Sequence, residues 1–274
     1  MAPMWQEIEG LFNRAFKFSY TRKKIFFLIP VLFIAGLLVV LSHSMWIHAN
    51  PWIKASLAFV PAFLSAGILM TAAIPLIRLY HDEVKGRPLS VNKTLKNSWP
   101  LMGNIASLVI PILTAYLVLW FVLGVFYLLK HIPAMGELLG VILSFGPFLL
   151  ILGSCFLSVV NVLLLFFLTP VVALKSTMRW ELAEEVLLKI GQQPFLHLVL
   201  LFIGLVPLVT MVGFLVLAAT LTGMSFFVTE GALAISLQWF FIMIPFAMLL
   251  SPVVIFFFNF AAESFVFLQR RIKQ

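Results

Sequence analysis

Six long stretches of this chain contain no Asp, Glu, Lys or Arg: residues 25–53, 55–77, 97–129, 138–174, 190–229 and 231–262. A hydrocarbon layer roughly 30 Å thick is crossed by about 20 apolar residues in a helix, and every stretch exceeds that length. In lipid each backbone amide must find its partner within the protein, so such runs fold as helices. The fold class that follows is all-α: a polytopic membrane protein of six transmembrane helices. The expected spans are Ile25–Trp46, Ala55–Leu79, Leu101–Leu129, Leu139–Ala173, Phe195–Leu221 and Leu233–Leu268.

Composition agrees. Of 274 residues, 63% are hydrophobic and 10% charged, against about 25% charged in a soluble domain. A net charge of +8 invites a nucleic-acid reading, but the basic residues lie in short segments between spans rather than on a water-soluble face. Cys155 is alone and mid-span, which leaves no disulfide within one chain. The first 24 residues are polar and aromatic, and the first apolar run is too long for a cleavable leader, so the first span itself is expected to direct insertion.

The basic residues also orient the chain. Sixteen of the eighteen fall before the first span, in the second and fourth loops and after the sixth span; only Lys54 and Lys130 fall on the other side. Short Lys- and Arg-rich loops stay cytoplasmic, which puts both termini inside. An odd number of spans would break this alternation, so Gly146 and Pro147 read as a kink in the fourth span rather than a turn between two.

Three amphipathic segments border these spans. Met4, Trp5, Ile8, Leu11, Phe12, Ala15, Phe16 and Ser19 recur at helical spacing opposite Gln6, Glu7, Glu9, Asn13, Arg14 and Lys17, a helix suited to the headgroup region or to capping the bundle. The second loop carries Val91, Leu95 and Trp99 four apart before Pro100. The fourth carries Leu182, Val186 and Ile190, closed by Gly191 and Pro194. With Pro75 and Pro170 each preceding its loop, the two read as a weak internal repeat. The resulting division is an amphipathic helix over 1–24, a six-helix domain over 25–268 with interfacial helices at about 89–99 and 178–190, and a basic tail over 269–274.

Polar residues within the spans are few. Every span holds proline (Pro30; Pro61 and Pro75; Pro111; Pro147 and Pro170; Pro207; Pro245 and Pro252), and each frees a carbonyl and bends its helix. In the fourth span Gly136, Gly140 and Ser144, followed by Ser154, Ser158 and Asn161, read as close helix packing or as one polar wall. Glu263, one turn after Asn259, is the carboxylate nearest the membrane interior; the structural expectation is an ion pair with Arg78 or Arg270 at the helix end. Arg78 and His197 sit where snorkelling satisfies them.

Catalytic patterns are missing. The sequence holds no HExxH, no phosphate-binding glycine loop and no GxSxG, and its five histidines are scattered, so no enzyme activity, metal site or cofactor is expected. Ion-coupled pumping normally needs charged groups along a path, and five spans have none mid-membrane.

The segments WQEIEGLFNRAFKFSYTRKK, RPLSVNKTLKNSWPLMGN, TPVVALKSTMRWELAEE and FVFLQRRIKQ, in this order around six spans, resemble a family of bacterial six-helix inner-membrane proteins related to the membrane domain of some glycerophosphodiester phosphodiesterases. The resemblance implies a non-catalytic helical membrane domain. The leading expectation is a lipid-associated or scaffolding protein of the bacterial inner membrane, with Arg22, Lys23, Lys24, Arg87, Lys93, Lys96 and Arg179 on anionic headgroups. Its rival is a permease for a small amphiphilic solute, with a cavity lined by Arg78, Asn161, Ser158 and Glu263. A third reading is a subunit that packs on a membrane protein partner, or on a second copy, through the small residues of the fourth span.

Overall fold

A computed structural model describes residues 2–45, 51–129, 136–175, 193–226 and 232–272. These residues are almost entirely helical, with no strand among them, and six helical stretches are long and apolar enough to cross a membrane. The protein is an all-α polytopic membrane protein.

Helix α1 (Ala2–Lys17) leads through a 3₁₀ turn (Phe18–Tyr20) into α2 (Arg22–Met45), the first span. A short α3 (Pro51–Leu57) precedes α4 (Phe59–Val84), and α5 (Val91–Ala106) is continued by α6 (Val109–Leu129). Helix α7 (Gly136–Leu163) passes through a π-helical turn (Leu164–Leu168) into α8 (Thr169–Lys175). Two long helices finish the chain, α9 (Pro194–Phe226) and α10 (Ala232–Ile272). With 41 residues at 1.5 Å each, α10 is about 60 Å long, twice the hydrocarbon thickness.

Proline explains three of the irregularities. A proline has no N–H for the carbonyl four residues back. Pro61 would have bonded Leu57, where α3 ends, and Pro111 would have bonded Ser107, just past the end of α5. There the amide of Ile110 takes the Ser107 carbonyl instead, at 3.1 Å. Pro170 would have bonded Phe166, and the helix widens over that residue, the Thr169 amide reaching back to Leu164.

The helix break in this part of the chain falls elsewhere than at Pro100. Pro100 was the expected end of a short interfacial helix, yet α5 runs through it, and the break falls at Ser107 and Leu108 because of Pro111. The inward face of α5 carries small and polar side chains rather than its apolar stripe. Thr94, Ser98 and Ile105 are buried, whereas Trp99 is 70% exposed and Leu95 half-buried. Where the exterior is lipid, an apolar face has no reason to turn inward, and small polar residues that bond neighbouring helices take the interior. The second predicted interfacial helix, with Leu182, Val186 and Ile190, and the candidate Arg179 lie outside the described residues.

The two ends of the bundle differ. At the terminus end, the start of α2, the second half of α4, the π turn with α8, and the second half of α10 form one core: Leu28 and Leu32; Met70, Ile74, Ile77 and Tyr80; Phe166 and Val172; and Ile255 to Phe260. Helix α1 closes this core from outside. Ile8 and Ala15 are buried, and the Phe12 ring meets Phe256 edge-on at 5.0 Å. Arg271 and Glu7, 3.1 Å apart, tie its first half to the last turns of α10. Both termini thus lie at one end.

Toward the opposite end fewer of the described residues are buried. A smaller cluster of Phe63, Ile112 and Tyr116 joins α4 to α6. Phe121, Phe148, Phe214 and Phe241 point outward, each more than half exposed. The close approach of α6 to α7 comes at Gly146 and Gly153, where an added Cβ would strike Leu123 and Leu119. The sequence had placed small-residue packing at Gly136, Gly140 and Ser144, whose side chains lie outside the description.

Candidate functional site

The terminus end contains a chain of buried polar contacts across α1, α2, α4 and α10. Its first part begins at the 3₁₀ turn, whose following residue, Thr21, donates its hydroxyl to Glu83 Oε1 at 2.6 Å. Lys24, one turn into α2, puts Nζ 2.6 Å from Glu83 Oε2 and 5.2 Å from the centre of the Tyr80 ring. Lys24 has no exposed surface. A buried lysine needs its counter-charge, and Glu83 with the electron-rich ring face supplies it.

The second part hangs from the same tyrosine. Tyr80 donates its hydroxyl to Glu263 Oε1 at 2.6 Å, and Arg14 of α1 approaches Glu263 Oε2 at 3.4 Å. Nearby, Asn259 donates its side-chain amide to the Ala15 carbonyl at 3.2 Å, so α1 is fixed to α10 by both polar and aromatic contacts. Tyr80 therefore joins the two halves, its ring under Lys24 and its hydroxyl on Glu263.

Beside this network, the end of α4 is closed by a glycine. Gly86 has φ of 67°, and the amides of Gly86 and Arg87 return to the carbonyls of Glu83 and Asp82 at 3.0 and 2.9 Å. This six-to-one and five-to-two pattern needs a left-handed residue at Gly86, and Pro88 then prevents the helix from resuming. Lys23 Nζ donates to the Leu89 carbonyl at 3.0 Å, which pins the turn to α2. Arg78 ties the same region to α8 and α5: Nε donates to the Ala173 carbonyl, and Nη1 to the Asn97 carbonyl and the Ser98 hydroxyl, each at 3.0 Å.

The described residues enclose a cleft of about 930 Å³ between α1, the end of α4, the last turns of α10 and Gln193 just before α9. Four cations line it (Arg14, Lys85, Arg270 and Arg271), along with Glu7, Glu263 and His81; Leu11, Val84, Val266 and Phe267 give it apolar wall. Glu263 links the cleft to the buried network.

The structure redistributes the candidate residues. Arg22, Lys23, Arg87, Lys93 and Lys96 are exposed at the terminus end, Arg87 lying 3.8 Å from Asp82. Lys24 does not share that exposure. One residue on from Lys23, it is rotated by about 100° onto the face of α2 that also buries Leu28, Leu32 and Ala35, and it cannot meet a headgroup. Glu263 bonds Tyr80 and Arg14, not Arg78 or Arg270. Tyr80, Glu83 and Lys85 were not singled out from sequence. The burial of Lys24 was visible in its spacing with Leu28 and Leu32, whereas its pairing with Glu83, 59 positions away, has no sequence signal.

The four residues proposed to line one cavity occupy separate settings. Arg78 is engaged by backbone and Ser98, Glu263 lies in the network, and Ser158 donates to the Ser154 carbonyl of its own helix at 2.9 Å. Asn161 is buried, and its Oδ1 has no hydrogen-bond partner among the described residues. No family model matches this chain, and no curated protein or solved structure matches it either.

Proposed function

We propose that the protein is a non-catalytic, lipid-associated protein of a bacterial inner membrane, with both termini cytoplasmic and anionic headgroups gathered around its terminus end. One observation carries this reading: exposed cations and exposed large aromatics occur together at that end. Arg22, Lys23, Arg87, Lys93 and Lys96 are exposed there, beside Trp5, Phe16, Tyr20 and Trp99 with about half or more of their surface outward. Amphipathic aromatic rings favour the headgroup level, and each nearby Lys or Arg adds about 1 kcal/mol of attraction to an anionic leaflet. The opposite end has the single described cation Lys54 on α3.

The orientation rests on the same asymmetry, since 16 of 18 basic residues are assigned to the terminus side and basic segments are retained in the cytoplasm. The layout shared with the membrane domain of certain glycerophosphodiester phosphodiesterases fits this role, because such a domain works among phospholipids.

The test is the selectivity of the lipid shell. In vesicles of mixed zwitterionic and anionic lipid, spin-labelled anionic lipid should associate with the native protein in preference to its zwitterionic analogue. That preference should fall as salt rises and disappear in a variant with Arg22, Lys23, Arg87, Lys93 and Lys96 all changed to Gln. Equal association of both lipids with the native protein would overturn the proposal.

A further inference from the structure

The exposed cations form a rim; the cleft is a distinct place beside it. We propose that the cleft between α1, the end of α4 and the end of α10 is a discrete site for one phosphate-bearing amphiphile, its phosphate held by Lys85 and Arg270. This rests on the lipid-associated reading and goes beyond it, from a selective shell to a single bound molecule.

The charge balance within the cleft carries the assignment. Four cations and two carboxylates line it, and both carboxylates are already engaged: Glu7 by Arg271 at 3.1 Å, and Glu263 by Tyr80 at 2.6 Å and Arg14 at 3.4 Å. Lys85 and Arg270 form no side-chain ion pair or hydrogen bond with another described residue, so an incoming anion meets their charge without first displacing a carboxylate. A guanidinium fork matches two phosphate oxygens, and an ammonium serves as a compact second charge.

Arg14 is the adjustable member. Its side chain is about half exposed, and 3.4 Å is long for a charge-assisted hydrogen bond. It can swing toward a bound phosphate while Tyr80 continues to hold Glu263. Three cations in reach suit a phosphomonoester, which carries more than one negative charge near neutral pH.

Size and lining identify the rest of the ligand. A volume of about 930 Å³ lies at the upper end of sites that hold small molecules, far more than a bare phosphate fills. Leu11, Val266 and Phe267 offer apolar wall beside the cations, which a free anion does not use and an acyl chain or glycerol backbone does.

Native mass spectrometry can count the ligand. Protein in zwitterionic nanodiscs would be titrated with diacylglycerol phosphate, with a zwitterionic phospholipid, and with glycerol phosphate or inorganic phosphate. The expected result is saturation at one diacylglycerol phosphate per chain, not reproduced by the zwitterionic lipid. The Lys85→Gln/Arg270→Gln variant should bind about tenfold more weakly or worse, the loss of at least one charge-assisted contact. Lys85→Arg/Arg270→Lys should retain the site, which separates charge from misfolding.

The five-site rim variant should keep one-to-one binding while losing its selective shell, so failure of this site and failure of the broader lipid reading are distinguishable. Binding that never saturates at one, or that is unchanged in Lys85→Gln/Arg270→Gln, would overturn the site. Inorganic phosphate or glycerol phosphate binding as tightly as the lipid would overturn the amphiphile and leave a soluble anion.

Discussion

The terminus end and the opposite end of this bundle are built from similar sequence yet held together differently. At the opposite end, helices meet through close approaches such as Gly153 against Leu119 and through the small cluster of Phe63, Ile112 and Tyr116, whose tyrosine hydroxyl donates to the Ser56 carbonyl at 3.0 Å, while many large side chains face outward. At the terminus end, four elements share aromatic packing and two inward-facing carboxylates, Glu263 buried and Glu83 largely so. Lipid tails are as apolar as leucine, so burial in a bilayer gives little drive for helices to associate, and contact quality and polar bonds decide where they hold. The packed end has more of both. A polar network in this setting is also a commitment, because every member relies on the others to stay satisfied.

The largest expected difference between the ends comes from the Lys24–Glu83 pair. Lys24→Met or Glu83→Gln alone leaves an uncompensated buried group, and each should cost about 3–5 kcal/mol in reversible unfolding by steric trapping. Lys24→Met combined with Glu83→Met should recover most of that loss, since an apolar pair of similar volume is often neutral. Additive losses in the double variant would mean that the two side chains do not act as a pair.

Next is aromatic packing. Phe260→Ala, in the core beside Phe12 and Phe166, should cost about 3 kcal/mol by the same measurement. Phe121→Ala, 71% exposed toward lipid, should stay within about 0.5 kcal/mol. Similar losses at both positions would erase the distinction between a densely packed end and one whose large side chains face lipid.

Glycines sharpen it further. An added Cβ at Gly204 would lie 2.7 Å from the Phe166 ring and 3.2 Å from that of Phe260, both held by neighbours; Gly204→Ala should cost about 1–3 kcal/mol. At Gly153 the obstacle is the tip of Leu119, which can rotate away, so Gly153→Ala should cost less than Gly204→Ala. Among the polar contacts, the smallest effect is expected from Arg14→Gln. Its pair with Glu263 is half exposed on the Arg14 side, and solvent screening leaves it under about 1 kcal/mol, with Tyr80 still holding the carboxylate.

Much of the scaffold was legible in the sequence because one constraint dominates it. Charge cannot be left in hydrocarbon, so the charge-free runs mark six spans. The position of the break between α5 and α6 was not legible. Pro100 and Pro111 are equivalent punctuation in sequence, and only the surroundings decide which one ends a helix.

The inward face of α5 was not legible for a related reason. Val91, Leu95 and Trp99 mark an amphipathic face suited to the membrane interface, and nothing in that spacing shows that Thr94 and Ser98 turn inward and that Ser98 meets Arg78. Within the candidate site, the cations were visible as residues but not as partners. Tyr80 and Glu263 are joined over 183 positions, and Arg14 and Glu263 over 249, through the folding of α1 onto α10. No local spacing encodes such contacts.

The most direct measurement compares the ends by the lipids they retain. Protein extracted from native membrane with minimal delipidation would be analysed by mass spectrometry for its ratio of anionic to zwitterionic lipid, in the native chain, in the five-site Gln variant of the terminus end, and in Lys54→Gln at the opposite end. The ratio should exceed that of the surrounding membrane in the native chain and in Lys54→Gln, and fall to the bulk value in the five-site variant alone. An unchanged ratio in all three would contradict a terminus end that gathers anionic lipid.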